Sequence, residues 1–131
     1  MSHQLPQLRE ALLELHKTLV ESERISYEQT IGTITSPNHF LQLLVNDPWF
    51  AWLHPISLLV VTMDQAIDSK RKPLTDADAE ALVKQARELL VAAEEGEGFP
   101  KHYFDALQRD PEVVMAHAAA AKFFAVRKAG L

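Results

Sequence analysis

The sequence predicts a single all-α domain, residues 1–131, with an antiparallel four-helix-bundle-like fold and two additional short helices. Apolar residues recur at steps of three and four along most of the chain, which is the spacing of one helix face. Three prolines directly follow Ser or Asp, a combination typical of helix starts. No segment carries a strong strand pattern. Together these observations indicate helices packed around one core.

A long N-terminal helix is the first predicted element. Its apolar stripe consists of leucines at alternating steps of three and four: Leu5, Leu8, Leu12, Leu15 and Leu19. A neighbouring apolar row continues further along, so the stripe is broad, as in a helix that wraps around a core. Gly32 is the expected stop, because glycine readily adopts the left-handed conformation that closes many helices.

A short helix and a second long helix follow. Ser36 is the expected N-cap of the short helix, which ends at Asn46, and Asp47 caps the next helix. The stripe of that next helix is Trp49, Trp52, Ile56, Val60, Met63 and Ile67. Pro55 lies within this stripe. Because proline lacks a backbone N–H and crowds the carbonyl four residues earlier, the helix must kink or restart near His54.

The second half begins after a polar loop, Asp68 to Leu74. Thr75 and Asp78 resemble a capping box and predict a long helix. The stripe of that helix is Ala79, Leu82, Ala86, Leu89 and Ala93. A second short helix begins at Pro100, and Asp110 caps the last long helix. Each half therefore has the order long, short, long.

A spaced pattern occurs twice in the chain, with the second copy 63 positions after the first (37 to 100). The first copy is Pro37, His39, Phe40, Leu44, Asp47, Pro48 and His54. The second copy is Pro100, His102, Tyr103, Leu107, Asp110, Pro111 and His117. The pattern leads to the hypothesis of an internal duplication with halves 1–68 and 69–131. A duplication predicts a pseudo-twofold axis and equivalent surroundings for His39 and His102, and for His54 and His117.

The histidines lack the spacing of a metal site within one helix. Neither Glu-x-x-His nor a carboxylate four residues from a histidine occurs, so we expect no metal site and no cofactor. Core-facing histidines that meet across a pseudo-twofold axis would still share a proton or bind an anion. The alternative function is therefore a small-ligand or metal-binding bundle with a histidine-lined pocket. That pocket would be lined by Trp52, His54, His117 and either His39 or His102.

The run from Asn46 to Pro55 holds both tryptophans of the chain. One interpretation is that these rings anchor the core beside the kink. The other is a protein-partner surface formed by Trp49, Phe50 and Trp52, because tryptophan is enriched at binding hot spots. The second copy lacks these aromatic residues, and this asymmetry favours the first copy as the location of a site.

A family resemblance accompanies this run. The motif Asn-Asp-Pro-Trp-Phe-Ala-Trp-Leu at 46–53, with the stretch 104–117, resembles a group of uncharacterised small bacterial helical proteins. The resemblance covers about half of the chain. It implies a helical fold but no activity, so it assigns no functional residue.

Charge, hydropathy and cysteine content narrow the function classes. A formal net charge of -5 argues against a nucleic-acid partner, because binding to phosphates depends on clustered Lys and Arg. The longest apolar stretch, Trp49 to Met63, is too short to span a bilayer, so we expect no membrane association. With no cysteine and no secretory segment at the start, the expected location is the cytoplasm.

The absence of catalytic motifs guides the functional hypothesis. The chain has no Gly-x-Ser-x-Gly motif and no glycine-rich phosphate loop, which favours a protein that is not an enzyme but leaves that question open. We expect a protein-interaction or regulatory module. Its partner would be another protein or, in a homodimer, a second copy of the chain.

Overall fold

A computed structural model describes residues 4–69 and 71–124 of the chain. These residues form seven helices and no strand, which confirms the prediction of an all-α fold. The helices are α1 (Leu5–Thr30), α2 (Pro37–Asn46), α3 (Pro48–Ala51), α4 (His54–Asp68), α5 (Asp76–Leu89), α6 (Phe99–Arg109) and α7 (Pro111–Ala121). None of these described helices combines the length and apolar character needed to cross a bilayer.

Helix α1 lies at the centre of the fold. It contacts α3, α4, α5, α6 and α7, and all five leucines of its predicted stripe are completely buried. Arg9 Nε lies 3.1 Å from Asp64 Oδ1 on α4, and His16 is close enough to His54 for its pKa to be affected. From residue 9 to residue 16 along α1, the partner on α4 moves back from residue 64 to residue 54. Helices α1 and α4 are therefore antiparallel.

Side-chain caps start four of the helices, as the sequence predicts. Ser36, Asp47 and Asp110 each accept a hydrogen bond from a backbone N–H two or three residues further on, at 2.8–3.0 Å. Thr75 forms a complete capping box with the residue three positions later. Each bond satisfies a backbone donor that has no partner within the helix.

The predicted kink near His54 is a complete break. Helix α3 ends at Ala51, and α4 begins at His54 with Pro55 in its first turn. The missing N–H of a proline is tolerated there, because the first N–H groups of a helix have no intrahelical acceptor. The restart buries Trp52 and Leu53 between the two helices.

The end of α6 is attached to α1 by a charged network. Arg109 Nη2 donates to Ser22 Oγ and to Glu23 Oε2, both at 3.0 Å. Glu23 is buried, so its carboxylate depends on this guanidinium for compensation. The network fixes the point from which α7 departs.

Candidate functional site

The four histidines of the repeated pattern have four different partners. His39 Nδ1 accepts from the Thr35 backbone N–H at 3.1 Å, and His54 Nε2–H donates to the Leu44 carbonyl at 3.2 Å. His102 stacks on a tryptophan, and His117 bonds a tyrosine, as described below. None of the four bonds or stacks with another of them in the described structure. The equivalence expected from a pseudo-twofold axis is therefore absent at the level of side-chain partners.

Helix α6 nevertheless gathers several of the predicted site residues in one place. Trp52 stacks on His102 with ring centroids 5.4 Å apart and meets Phe99 edge-on at 5.3 Å. Tyr103 lies 5.3 Å from Phe99 and 5.4 Å from His117. We call these five residues the α6 aromatic cluster. It contains Trp52, His102 and His117 from the predicted pocket, whereas His39 and His54 are not among its ring contacts.

A short hydrogen bond joins Tyr103 and His117 within this cluster. The Tyr103 hydroxyl and His117 Nδ1 are 2.6 Å apart, and Tyr103 is completely buried. Burial raises the pKa of Tyr103 and lowers the pKa of His117. Both groups are therefore neutral at pH 7, with the tyrosine donating to Nδ1. The bond links α6 to α7. Because the tyrosine and the histidine are both neutral, they do not form a charged acid–base pair.

Sequence reasoning missed the partners that matter most for these histidines. Tyr103 precedes His117 by 14 residues on a different helix, and no local spacing signals such a pair. His16 has a pKa lowered first by burial and second by the nearby His54. The available sequence signal for the burial of His16 was its position directly after Leu15, which belongs to the apolar stripe of α1.

No described group of side chains is suited to hold a metal ion. Sets of three or more His, Asp or Glu with suitable placement do not occur within residues 4–69 and 71–124. The reason is visible at the histidines, whose neighbours are rings, hydroxyls and backbone atoms rather than carboxylates. The described arrangement offers structural hydrogen bonds rather than metal ligands.

The predicted partner surface consists largely of core side chains. Phe50 is 1% exposed and Trp52 is 8% exposed, whereas Trp49 is half-buried. Tyr27 contacts both Trp49 and Phe50 at 5.7 Å, and Phe40 meets Phe50 at 5.8 Å. Of the three predicted surface residues, only Trp49 therefore offers appreciable surface. The reason is that α3 turns its rings inward against α1 and α2.

One exposed apolar surface lies on the outer side of α4. Leu58 is 68% exposed and Val61 is 46% exposed, and Pro55 continues the same side of the helix. We call Pro55, Leu58 and Val61 the α4 face. The nearest charged side chain on α4, Asp64, is engaged with Arg9 of α1 at 3.1 Å.

An open groove of about 420 Å³ lies beside the α4 face, between α4 and α5. We call it the α4–α5 groove. Its lining residues are Pro55, Leu58, Leu59, Thr62, Gln85, Glu88 and Leu89. Glu88 is the one charged residue in this lining, and its carboxylate lies 3.9 Å from Lys84 Nζ.

Three other described helices also expose large apolar side chains, and on α1 the exposed residue is Ile25. Helix α7 exposes Val114 and Met115, and α2 exposes Leu41 and Val45. On α7 the next exposed positions are alanines, so the apolar side is flatter than the α4 face. No protein-family model, curated protein or solved structure matches the chain.

Proposed function

We propose that this chain is a non-enzymatic protein-interaction or regulatory module that acts through the α4 face and the α4–α5 groove. The observation that carries the proposal is the exposure of Leu58 and Val61 on a side of α4 that is nearly free of charge. The side formed by Pro55, Leu58 and Val61 extends over about two helical turns without a charged residue. Charge depletion around apolar side chains is the compositional mark of an interface centre.

The groove adds a shape that suits a partner. Its α4 wall has residues at 55, 58, 59 and 62, and its α5 wall has residues at 85, 88 and 89. Within each wall the residues are three or four positions apart or adjacent, so each wall is one face of a helix. Two such faces side by side form a groove that can accept a third helix. The surface is thus an apolar side with a neighbouring depression, as helix-in-groove recognition requires.

The finer architecture is also part of the proposal. We take α1, α4, α5 and α7 as the helices of an antiparallel four-helix bundle, and its support is that α1 contacts each of the other three. An internal duplication is supported by matched bonds at the same offset of 63. Asp47 N donates to the Leu43 carbonyl at 2.9 Å, and Asp110 N donates to the Ala106 carbonyl at 3.0 Å.

The resemblance to small bacterial helical proteins and a cytoplasmic location complete the proposal. The support for the location is the absence of cysteine from the whole chain. The support for the resemblance is the motif at 46–53, whose Asp47 caps α3 and whose Phe50 and Trp52 are core residues.

Site-specific photo-crosslinking in cells that naturally produce the chain tests the interaction. Benzoylphenylalanine replaces Leu58 in one variant and Met115 in the other, since these helical side chains are 68% and 66% exposed. We expect discrete protein adducts at position 58 and fewer or none at position 115. Equal adduct yields at the two positions, or no adduct at 58, would contradict the proposed surface.

A second candidate is a small-ligand or metal-binding bundle with a histidine-lined pocket. One observation favours it, the gathering of Trp52, His102 and His117 in the α6 aromatic cluster. Native mass spectrometry of the purified protein tests it. A bound mass that is lost in His117→Gln supports this candidate, and the bare chain mass in both proteins rejects it.

A further inference from the structure

Helix α2 is the one helix of the described structure that buries none of its residues. Each of the other six buries at least one side chain. Helix α2 also contains no Lys, Arg, Asp or Glu, so no ion pair with those groups fixes its position. Its outer side exposes Leu41 and Val45, and its inner side packs mainly against α3. Few interactions therefore hold this helix in place.

Two specific contacts anchor α2 to other helices. The Phe40 ring meets the Phe50 ring edge-on, with centroids 5.8 Å apart. His54 Nε2–H donates to the Leu44 carbonyl at 3.2 Å, and this is the one hydrogen bond from α2 to a described residue beyond its own flanking turns. Neither anchor belongs to the packing of α1 against α4, so both can break while those two helices stay together.

The chain on either side of α2 allows the helix to move as a unit. The Ile34 N–H donates to Glu28 Oε2 of α1 at 3.0 Å, so the first pivot lies after Ile34. Asp47 alone separates α2 from α3 and is extended, which gives the second pivot. A helix of ten residues is marginal in water without packing partners, so α2 unwinds when it is released.

We propose that α2 is a lid, which detaches from α3 and unwinds as one unit while α1 and α4 stay packed, and that its release uncovers Phe50. Phe50 is 1% exposed when the lid is closed, and its ring lies 5.7 Å from that of Tyr27. The lid therefore controls access to one of the three aromatic residues of the predicted partner surface. The residues of the lid and of the α4 face are different, so either proposal can fail without the other.

Hydrogen exchange of the purified full chain, followed by NMR at increasing urea below the unfolding transition, tests the lid. Segments with few buried contacts open at a lower free energy than the core. We expect the amides of residues 41–46 to be protected at least about 100-fold less than those of Leu12 and Leu15 in α1. The α2 amides should also share one urea slope, greater than zero but smaller than that of α1, because the opening exposes only part of the fold.

Two results of this experiment would overturn the lid. Equal protection and equal urea slopes in α2 and α1 would mean that α2 opens only when the whole fold does. Protection that declines gradually toward one end of α2, with no urea dependence, would mean that single residues fray and that no unit is released.

Substitutions on opposite sides of α2 test what keeps the lid closed. Phe40→Ala removes the ring that covers Phe50, and we expect the α2 amides to exchange at least about 10-fold faster. Leu41→Ala is the matched control, because this side chain is 56% exposed on the same helix and its removal should change the rates less than about 3-fold. Equal effects of the two substitutions overturn the proposed closure. If circular dichroism shows that Phe40→Ala is unfolded, Phe40→Leu takes its place with the same expected direction.

Limited digestion of the natural chain with chymotrypsin tests what the lid uncovers. Proteolysis under native conditions samples the open population, and this protease must hold the side chain before the cut in its own pocket. We expect a cut after Phe50 to appear before any cut in the leucine stripe of α1, Leu8 to Leu19. Cuts in that stripe that precede a cut after Phe50 overturn the claim that the lid covers it.

Discussion

Tyr103 and His117 show how burial keeps two hydrogen-bonded polar side chains neutral, one of them fully buried and the other half-buried. The hydroxyl donates to Nδ1 at 2.6 Å, and burial opposes charge on both groups. The equivalent of Tyr103 in the first copy is Phe40, which has no hydroxyl to offer. His54 bonds the Leu44 carbonyl instead. The matched spacing therefore predicted the position of each histidine in its helix. It did not predict the hydrogen-bond partners, because only the second copy has a tyrosine hydroxyl in place of a phenylalanine ring edge.

The lowered pKa of His117 makes the stability of the fold pH-dependent. Its folded pKa lies below the unfolded value of 6.5, so the unfolded chain binds more protons as the medium becomes acidic. We expect the free energy of unfolding to be highest above about pH 7 and to fall as the pH drops through 6.5. His16 contributes with the same sign. Urea unfolding at pH 7.5 and 5.5 measures the effect, and His117→Gln should reduce it. Identical pH dependence in the two proteins would show that His117 is not responsible.

Removal of the Tyr103 hydroxyl should destabilise the fold. Tyr103→Phe leaves the acceptor of His117 without its donor, at a cost of about 1 kcal/mol in the free energy of unfolding. Tyr27→Phe is the control, since the Tyr27 hydroxyl makes no hydrogen bond within the described structure while its ring is also packed. Chemical denaturation at pH 7.5 measures both. Equal losses in the two variants would mean that the hydroxyl bond contributes nothing specific.

At the scale of elements, helix starts were predictable and one helix end was not. Caps such as Ser36 and Asp47 act on backbone groups within three residues, so the sequence alone shows them. Helix α5 ends at Leu89 although its apolar pattern continues to Ala93. Leu90 is buried outside the helix, and the Ala93 N–H donates to the Pro100 carbonyl at 2.9 Å. A contact with another element decides that boundary, and no local pattern contains it.

The attachment of α6 to α1 should depend on Arg109. Arg109→Ala removes the partner of the buried Glu23 carboxylate, and we expect a loss of about 2–3 kcal/mol in the free energy of unfolding. Arg24→Ala is the control, because Arg24 pairs with the less buried Glu21 and Glu28, and such pairs contribute about 0–1 kcal/mol.

A second substitution separates charge from packing at the same place. Glu23→Gln in the Arg109→Ala background removes the uncompensated charge, and we expect it to recover part of the loss. Urea titrations of the three variants provide the comparison. If Arg109→Ala costs no more than Arg24→Ala, the buried network does not hold α6 to α1.

At the scale of the whole molecule, the sequence predicted the all-α class of fold, but its candidate partner surface is an aromatic run in which the structure buries Phe50 and Trp52. Helix α4 is apolar at most positions, so its pattern does not show which apolar residues remain outside. Contact with α1 and α5 buries Ile56, Leu59 and Met63 and leaves Leu58 and Val61 exposed. The surface is thus a product of packing, and only the structure reveals it.

A ribosome releases α1 long before the helices that cover it. Its contact with Arg109 joins residues that are 87 positions apart, which corresponds to roughly 4–17 s of synthesis at typical elongation rates. During that interval the leucine stripe of α1 has no access to α7. A nascent chain that stalls before Pro111 keeps one side of this stripe bare and open to chaperones or to other unfinished chains. Helix α7, the last of the described helices to be synthesised, thus completes the cover of the first.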